Sequence, residues 1–238
     1  SNSIIDYKPM TPMWRHSSPC MPTIWEIAMM VLNGQINTRL LAACRDLKIP
    51  AVGISGVDAG LIKAHKRPPI SINDGSTKTV DYGFVGDIDE VDASILLKQL
   101  DNDLIPIVSP LSADESGTLL NINADTVAAA IAVALEAEKL MLATGTPGIL
   151  ESADDPRSVI SYLDIAGLNK LRDEGRLTDG MLPKAAAIEQ ALTGGVPRVH
   201  VISYELPDSL LLEVFTNEGL GTLVVNDIQN LSTAEQQG

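Results

Sequence analysis

Apolar residues recur at helical spacing through "TIWEIAMMVLNGQINTRLLAACRDL", residues 23–47, which predicts a helix with Gly34 as its weak point. "PAVGIS", 50–55, reads as a short apolar strand. "GLIKAHKRPPI", 60–70, alternates and then breaks at Pro68 and Pro69, and "TVDYGFVGDI", 79–88, reads as a further strand. Asp92 stands where the helix "ASILLKQLDND" needs a cap. The second half has a clearer rhythm. "LIPIVSPL" is a buried strand, "TLLNIN" a strand or its exit, and "ADTVAAAIAVALEAE" a helix with Asp125 near its start. "KLMLATGTPGIL" is a strand running into a Gly/Pro turn. "SYLDIAGLNKLRDEG" and "GMLPKAAAIEQALTGG" read as helices, the second ending in the Gly-Gly expected at a helix stop. "RVHVIS" is a strand, "LPDSLLLEVFTNEG" a helix and "GTLVV" a last strand. Strands alternating with helices predict an α/β fold with a mainly parallel sheet. Ligands in such folds sit beyond the carboxyl ends of the strands, so the chemistry is expected in strand-to-helix turns.

Composition narrows this picture. Of 238 residues, 45% are hydrophobic and only 3% aromatic, so the core has to be built from Ala, Val, Ile and Leu, as suits a helix-covered sheet. A formal net charge of −14 gives no general attraction for nucleic acid or anionic membranes, and neither is expected as a partner. Phosphate binding falls to local basic groups. No apolar run is long enough for a membrane span, and "SNSIIDYKPM" lacks the charged and apolar regions of a signal peptide. Cys20 and Cys44 show no C-x-x-C spacing, so reduced thiols in the cytoplasm are the expectation.

Three turns carry candidate chemistry. In "NINAD", Asn121, Asn123 and Asp125 are spaced two apart where a strand ends and a helix begins. "ATGTPGIL", 143–150, offers backbone N–H groups to a nucleotide. "TDGMLPK", 178–184, places Lys184 in the first turns of a helix, where the macrodipole disfavours it unless an anion binds nearby. Plainer readings stand beside these. The asparagines also serve as strand terminators and Asp125 as a helix N-cap. "TGTPG" is a common turn, and a lone lysine is usually a solvated one. His16, His65 and His200 have no metal-ligand spacing, and no metal-binding residue is assigned. His200, inside "RVHVIS", reads as a core histidine. No Walker-type or GxGxxG loop is present.

Taken in order, "MVLNGQIN", "DYGFVGDIDEVD", "LIPIVSPL", "LLNINAD", "TGTPGIL", "LTDGMLPKAAAIEQALTGGVPRVHVI" and "LLLEVFTNEGLGTLV" resemble the acetylglutamate kinases of the amino acid kinase family, from about residue 23 to 225. The resemblance implies a three-layer αβα sandwich with a mainly parallel central sheet, N-terminally shortened. It implies transfer of the γ-phosphoryl group of ATP, bound with Mg2+, to the γ-carboxylate of N-acetyl-L-glutamate in arginine biosynthesis, by a homodimer in the cytoplasm. Carried over residue by residue, Asn121 and Asn123 bind the amino-acid substrate, with Arg15 the nearest candidate for its arginine. Asp125 orients the catalytic lysines, and Lys184 stabilises charge on the transferring phosphoryl group. Gly145, Thr146, Pro147, Gly148, Ile149 and Leu150 contact the nucleotide, with Leu177 and Thr178 close by.

The sequence also departs from the pattern. The family's "K-x-GG" and "HGGG" segments, which supply a second lysine and phosphate-holding amides, are not in these residues, and Lys8 in "DYKPM" lacks the glycines. "ISYELP" stands where a "DGR"-like turn is usual. Two functions follow: a working kinase, or a degenerate homologue that binds nucleotide or an acyl-amino acid without turnover. The expected layout is an irregular arm at 1–22, a kinase-like domain at 23–225 and a polar tail at 226–238. Within the domain, 23–115 is the remnant of the substrate and dimer half and 116–225 the nucleotide half. The shortened sheet should leave an edge that the arm or a partner covers.

Overall fold

The structure, a computed structural model, describes residues 24–71, 79–152, 154–178, 180–215 and 220–228. The arm at 1–22, with Arg15, and the tail beyond 228 lie outside them. The helical pattern at 23–47 appears as α1 (Ile24–Met29), a π-helical stretch (Met30–Ile36) and α2 (Asn37–Asp46). The wide turn contains Gly34, which contributes no side-chain packing to hold regular α geometry. Asn37 is buried after it and donates through Nδ2 to Ile107 O at 2.9 Å, tying the helix to the sheet. Gly53 makes that approach feasible, because a Cβ there would lie 2.1 Å from Asn37 Oδ1.

The first half is assembled from β1 (Ala51–Ser55), β2 (Ile62–Lys66), a short pair β3 (Ile70–Ser71) and β4 (Thr79–Val80), β5 (Gly86–Val91), α3 (Ser94–Leu100), β6 (Ile105–Ser109), β7 (Leu111–Ala113) and β8 (Leu119–Asn121). The strand expected at 79–88 is therefore two pieces, β4 pairing β3 and β5 pairing β2 antiparallel. The 60–70 segment breaks where its prolines remove ladder donors. Asp92 Oδ1 accepts from Ser94 N at 3.0 Å, one residue ahead of Ala93, the N-cap position of α3. β1 and β6 run parallel, and a second sheet has the order β5-β2-β7-β8.

The second half follows with α4 (Ala124–Ala134), β9 (Leu140–Thr144), β10 (Tyr162–Asp164), α5 (Ile165–Asp173), α6 (Leu182–Thr193), β11 (Arg198–Ser203), α7 (Ser209–Phe215) and β12 (Thr222–Val225). The segment expected as one helix from 161 opens with strand β10. Asp164 then caps α5, its side chain accepting from Gly167 N at 2.7 Å. These strands form a sheet ordered β10-β12-β11-β9, parallel except for the antiparallel β11–β12 pair. Helices cover both of its faces. Val199 and Val201 of β11 join the apolar core with Ile188 and Leu192 of α6, while the intervening His200 points the other way, to Glu213 of α7. α4 serves two cores: Ala129 and Ala132 pack with α6 and β9, and Val127 packs with Leu61, Leu96 and Leu120.

Among the described residues, β6 and β9 each have a strand partner on one side only. An apolar groove of about 360 Å³ lies beside Pro106, Val108 and Leu140 and is floored by α4 residues such as Val127 and Ile131. The arm expected to cover such an edge belongs to the residues not described.

His200 and Glu213 give a prediction about pH. Burial opposes the charge on Glu213, but hydrogen bonds from His200 and from the Gly221 amide together outweigh it and hold the carboxyl below its ordinary value of 4.5. A depressed carboxylate contributes stability that is complete above the ordinary value and lost as pH falls through the folded one. Urea midpoints should therefore drop on acidification below about pH 4.5, and the drop should be shallower in Glu213→Gln. Parallel curves for the two proteins would contradict this.

Candidate active site

The short polar run after β8 is fixed by the chain around it. Asn121 ends the strand, its N–H donating to Phe84 O at 2.8 Å. Asn123 has extended backbone and caps α4, its Oδ1 accepting from Asp125 N at 2.9 Å and Thr126 N at 3.1 Å. The N-cap is thus Asn123 rather than Asp125, which leaves the Asp125 carboxylate free to look outward from the first turn, where the macrodipole favours a negative charge. Asn123→Ala should lower the unfolding free energy by about 1 kcal/mol. An unchanged urea midpoint would argue against the cap.

Pro183 lies at the start of α6, where its missing N–H costs nothing, and Lys184 follows it. α6 packs beside α4 through small residues, among them Ala129, Ala132, Ala185 and Ala191. This brings Lys184 Nζ to 2.7 Å from Asp125 Oδ1, although the two are 59 positions apart. The side chains are 15% and 22% exposed. The ammonium sits against an opposing helix dipole and is held there by the carboxylate. Its remaining donors are available to a bound anion.

The turn after β9 is built for close approach. Thr146 Oγ1 donates to Gly148 O at 2.9 Å, and Ile149 N donates to Thr222 Oγ1 at 2.8 Å. A Cβ on Gly148 would lie 2.7 Å from Thr222 Oγ1, so only glycine fits. Facing the turn is the chain entering α6. Between them is a cavity of about 60 Å³ lined by Thr146, Gly148, Ile149, Leu150, Arg176, Leu177, Thr178 and Met181. Met181, the N-cap position of α6, joins this cavity to the turn that carries Lys184. The cavity is smaller than a usual ligand pocket of roughly 300–1,000 Å³. Gly145 and Pro147 belong to the same turn, and Gly145 touches an additional residue: a Cβ there would meet Tyr204 Oη at 2.9 Å.

Sequence reasoning missed Arg176, Met181 and Tyr204. Arg176 is anchored by Glu151 O and Glu174, and Tyr204 by its N–H on Thr144 O at 3.0 Å. Neither contact has a local sequence signature. Arg15 cannot be placed against these groups, because it is not among the described residues.

The model of the Amino acid kinase family matches residues 15–203. An acetylglutamate kinase of Myxococcus xanthus is 48% identical over 207 residues, covering 86% of this chain and 67% of that protein. Another, of Heliobacterium modesticaldum, is 43% identical over 201 residues, covering 84% and 68%. The chain therefore spans about two thirds of the length of these relatives. Among solved structures, the N-acetylglutamate synthase of Neisseria gonorrhoeae, solved with coenzyme A and N-acetyl-glutamate, superposes with a TM-score of 0.71 at 27% identity, covering 86% of this chain and 44% of that one. No helix among the described residues is long and apolar enough to cross a membrane. On its sequence and its fold alike, the chain belongs to the amino acid kinase family, and its relatives in Myxococcus xanthus and Heliobacterium modesticaldum are acetylglutamate kinases.

Proposed function

We propose that this protein is an acetylglutamate kinase, transferring the γ-phosphoryl group of MgATP to the γ-carboxylate of N-acetyl-L-glutamate in arginine biosynthesis. The observation that carries the reading is the Lys184–Asp125 pair at 2.7 Å, whose lysine lies in the first turn of α6, next to Met181 and the cavity that it lines. In this reading the nucleotide lies against Gly145–Leu150 with Leu177 and Thr178 opposite, and its γ-phosphoryl group points toward Lys184. Magnesium arrives on the ATP phosphates, the usual place for an ion that dehydrates reluctantly. Phosphoryl transfer requires alignment and positive charge at the equatorial oxygens and little covalent help from the protein. Lys184 supplies that charge, and Asp125 keeps its ammonium placed. Asn121 and Asn123 hold the acceptor at the end of β8. Asn121 is half-buried there, and Asn123 spends its oxygen on the α4 cap and keeps its NH2 group for the ligand. Arg15 is assigned to the acceptor's carboxylate.

The working form is a homodimer in the cytoplasm. Support for self-association comes from Ile27, Met30, Ile36 and Leu40, large apolar side chains each more than 40% exposed along α1, the π stretch and α2.

The test is acceptor choice. ADP release from MgATP is measured with N-acetyl-L-glutamate, L-glutamate, L-aspartate and carbamate. Release selective for N-acetyl-L-glutamate supports the proposal. Release selective for another acceptor, or equal with none, would overturn it.

A further inference from the structure

The turn assigned to the nucleotide is held from behind by a chain of buried polar contacts that the reaction itself does not use. Thr222, the first residue of β12, is fully buried, and its Oγ1 accepts the Ile149 N–H at 2.8 Å. A buried amide needs a partner, and here a side chain on a distant strand provides it. The preceding residue, Gly221, is gripped twice. A Cβ there would lie 2.2 Å from Val201 O, so the chain presses on β11, and its N–H donates to Glu213 Oε2 at 3.2 Å. The other carboxylate oxygen of Glu213 lies 2.7 Å from His200 Nδ1.

The His200 and Glu213 side chains are 9% and 5% exposed. Burying such a pair costs desolvation that an apolar pair of the same volume would avoid. His200 Nε2 is moreover buried with no hydrogen-bond partner, a further penalty. Stability alone does not account for this choice of residues. What the pair does provide is a fixed point: a carboxylate on α7 that locates the main chain one residue before Thr222.

We propose that Thr222 and Glu213 are positioning residues for the nucleotide. Thr222 sets the Gly148–Ile149 turn against the cavity, and the His200–Glu213 pair sets Thr222 through the Gly221 amide. The inference rests on the reading of the turn as the nucleotide site. It gives α7, which contributes nothing to the cavity lining, control over nucleotide affinity.

The experiment compares MgADP binding by calorimetry for the parent, Thr222→Val, Thr222→Ser, Glu213→Leu and the double variant Thr222→Val with Glu213→Leu, each checked for folding by its thermal transition. Thr222→Val keeps the shape and removes the acceptor, so the Kd for MgADP should rise about tenfold, as one lost buried hydrogen bond predicts. Thr222→Ser restores the hydroxyl and should bind within a small factor of the parent. Glu213→Leu should weaken binding in the same direction. The double variant should lose less than the product of the two single losses, because both act on one element. In turnover, KM for MgATP should rise while KM for N-acetyl-L-glutamate stays put. If Thr222→Val does not fold, Glu213→Leu and Thr222→Ser carry the test. A parent that binds MgADP alongside single variants that bind it equally well would overturn the inference alone, as would fully multiplicative losses. A parent that binds no MgADP would overturn the nucleotide reading and this inference with it.

Discussion

Lys184→Ala is expected to lower kcat by about 10²–10³-fold, the usual loss when one preorganised charge or donor is removed from a transition state. MgADP affinity should stay nearly unchanged, because the cavity is lined by other residues. The lysine ammonium is held by the Asp125 carboxylate at 2.7 Å, with both side chains mostly shielded from water. It is therefore already oriented before substrate arrives, and in the proposed reaction its charge is needed most when negative charge spreads over the transferring phosphoryl oxygens. Stability should not rise in compensation. Removing one partner leaves Asp125 partly buried without its counter-ion, which is destabilising. A variant with the parent kcat would show that Lys184 is a packing residue and that the pair is structural.

The second large effect is expected at Gly148. Gly148→Ala should raise the Kd for MgADP at least about tenfold, equivalent to about 1.4 kcal/mol. The added Cβ would stand 2.7 Å from Thr222 Oγ1 and 3.0 Å from Val159 Cγ1. Thr222 is β-branched and fully buried in a sheet, so it has no free rotamer into which to retreat. The turn has to shift outward, breaking the Ile149–Thr222 hydrogen bond and closing the cavity. Overpacking of this kind typically costs 1–3 kcal/mol, so a lower thermal midpoint should accompany the loss of affinity. Unchanged nucleotide binding in a folded Gly148→Ala protein would remove the turn from the site.

Much of this organisation was legible before any coordinates. The Ala-rich pattern of α4, the Gly-Gly stop of α6 and the Pro–Lys start of the same helix each have a local cause, and each element formed where that cause placed it. The resemblance brought Asp125 and Lys184 into one argument, and packing of α4 on α6 brings them into contact. The failures have different causes. β10 was hidden because three residues are too few to show a period before α5 begins. The antiparallel β11–β12 pair was hidden because strands buried this deeply do not display the alternation that would distinguish one pairing from another. Asn123 took the cap that the plainer reading offered to Asp125, because either side chain can cap and only the backbone geometry decides. Tyr204 and Arg176 reach the site through tertiary contacts, for which no spacing in the sequence could speak.

Phosphoryl transfer to a carboxylate leaves an acyl phosphate that can be trapped. The most direct measurement incubates the protein with MgATP, N-acetyl-L-glutamate and hydroxylamine, and quantifies ADP and hydroxamate together in the parent and in Lys184→Ala. An acyl phosphate reacts with hydroxylamine, so one hydroxamate per ADP is expected, dependent on N-acetyl-L-glutamate and lost in the variant. ADP without hydroxamate, or equal yields from parent and variant, would contradict it.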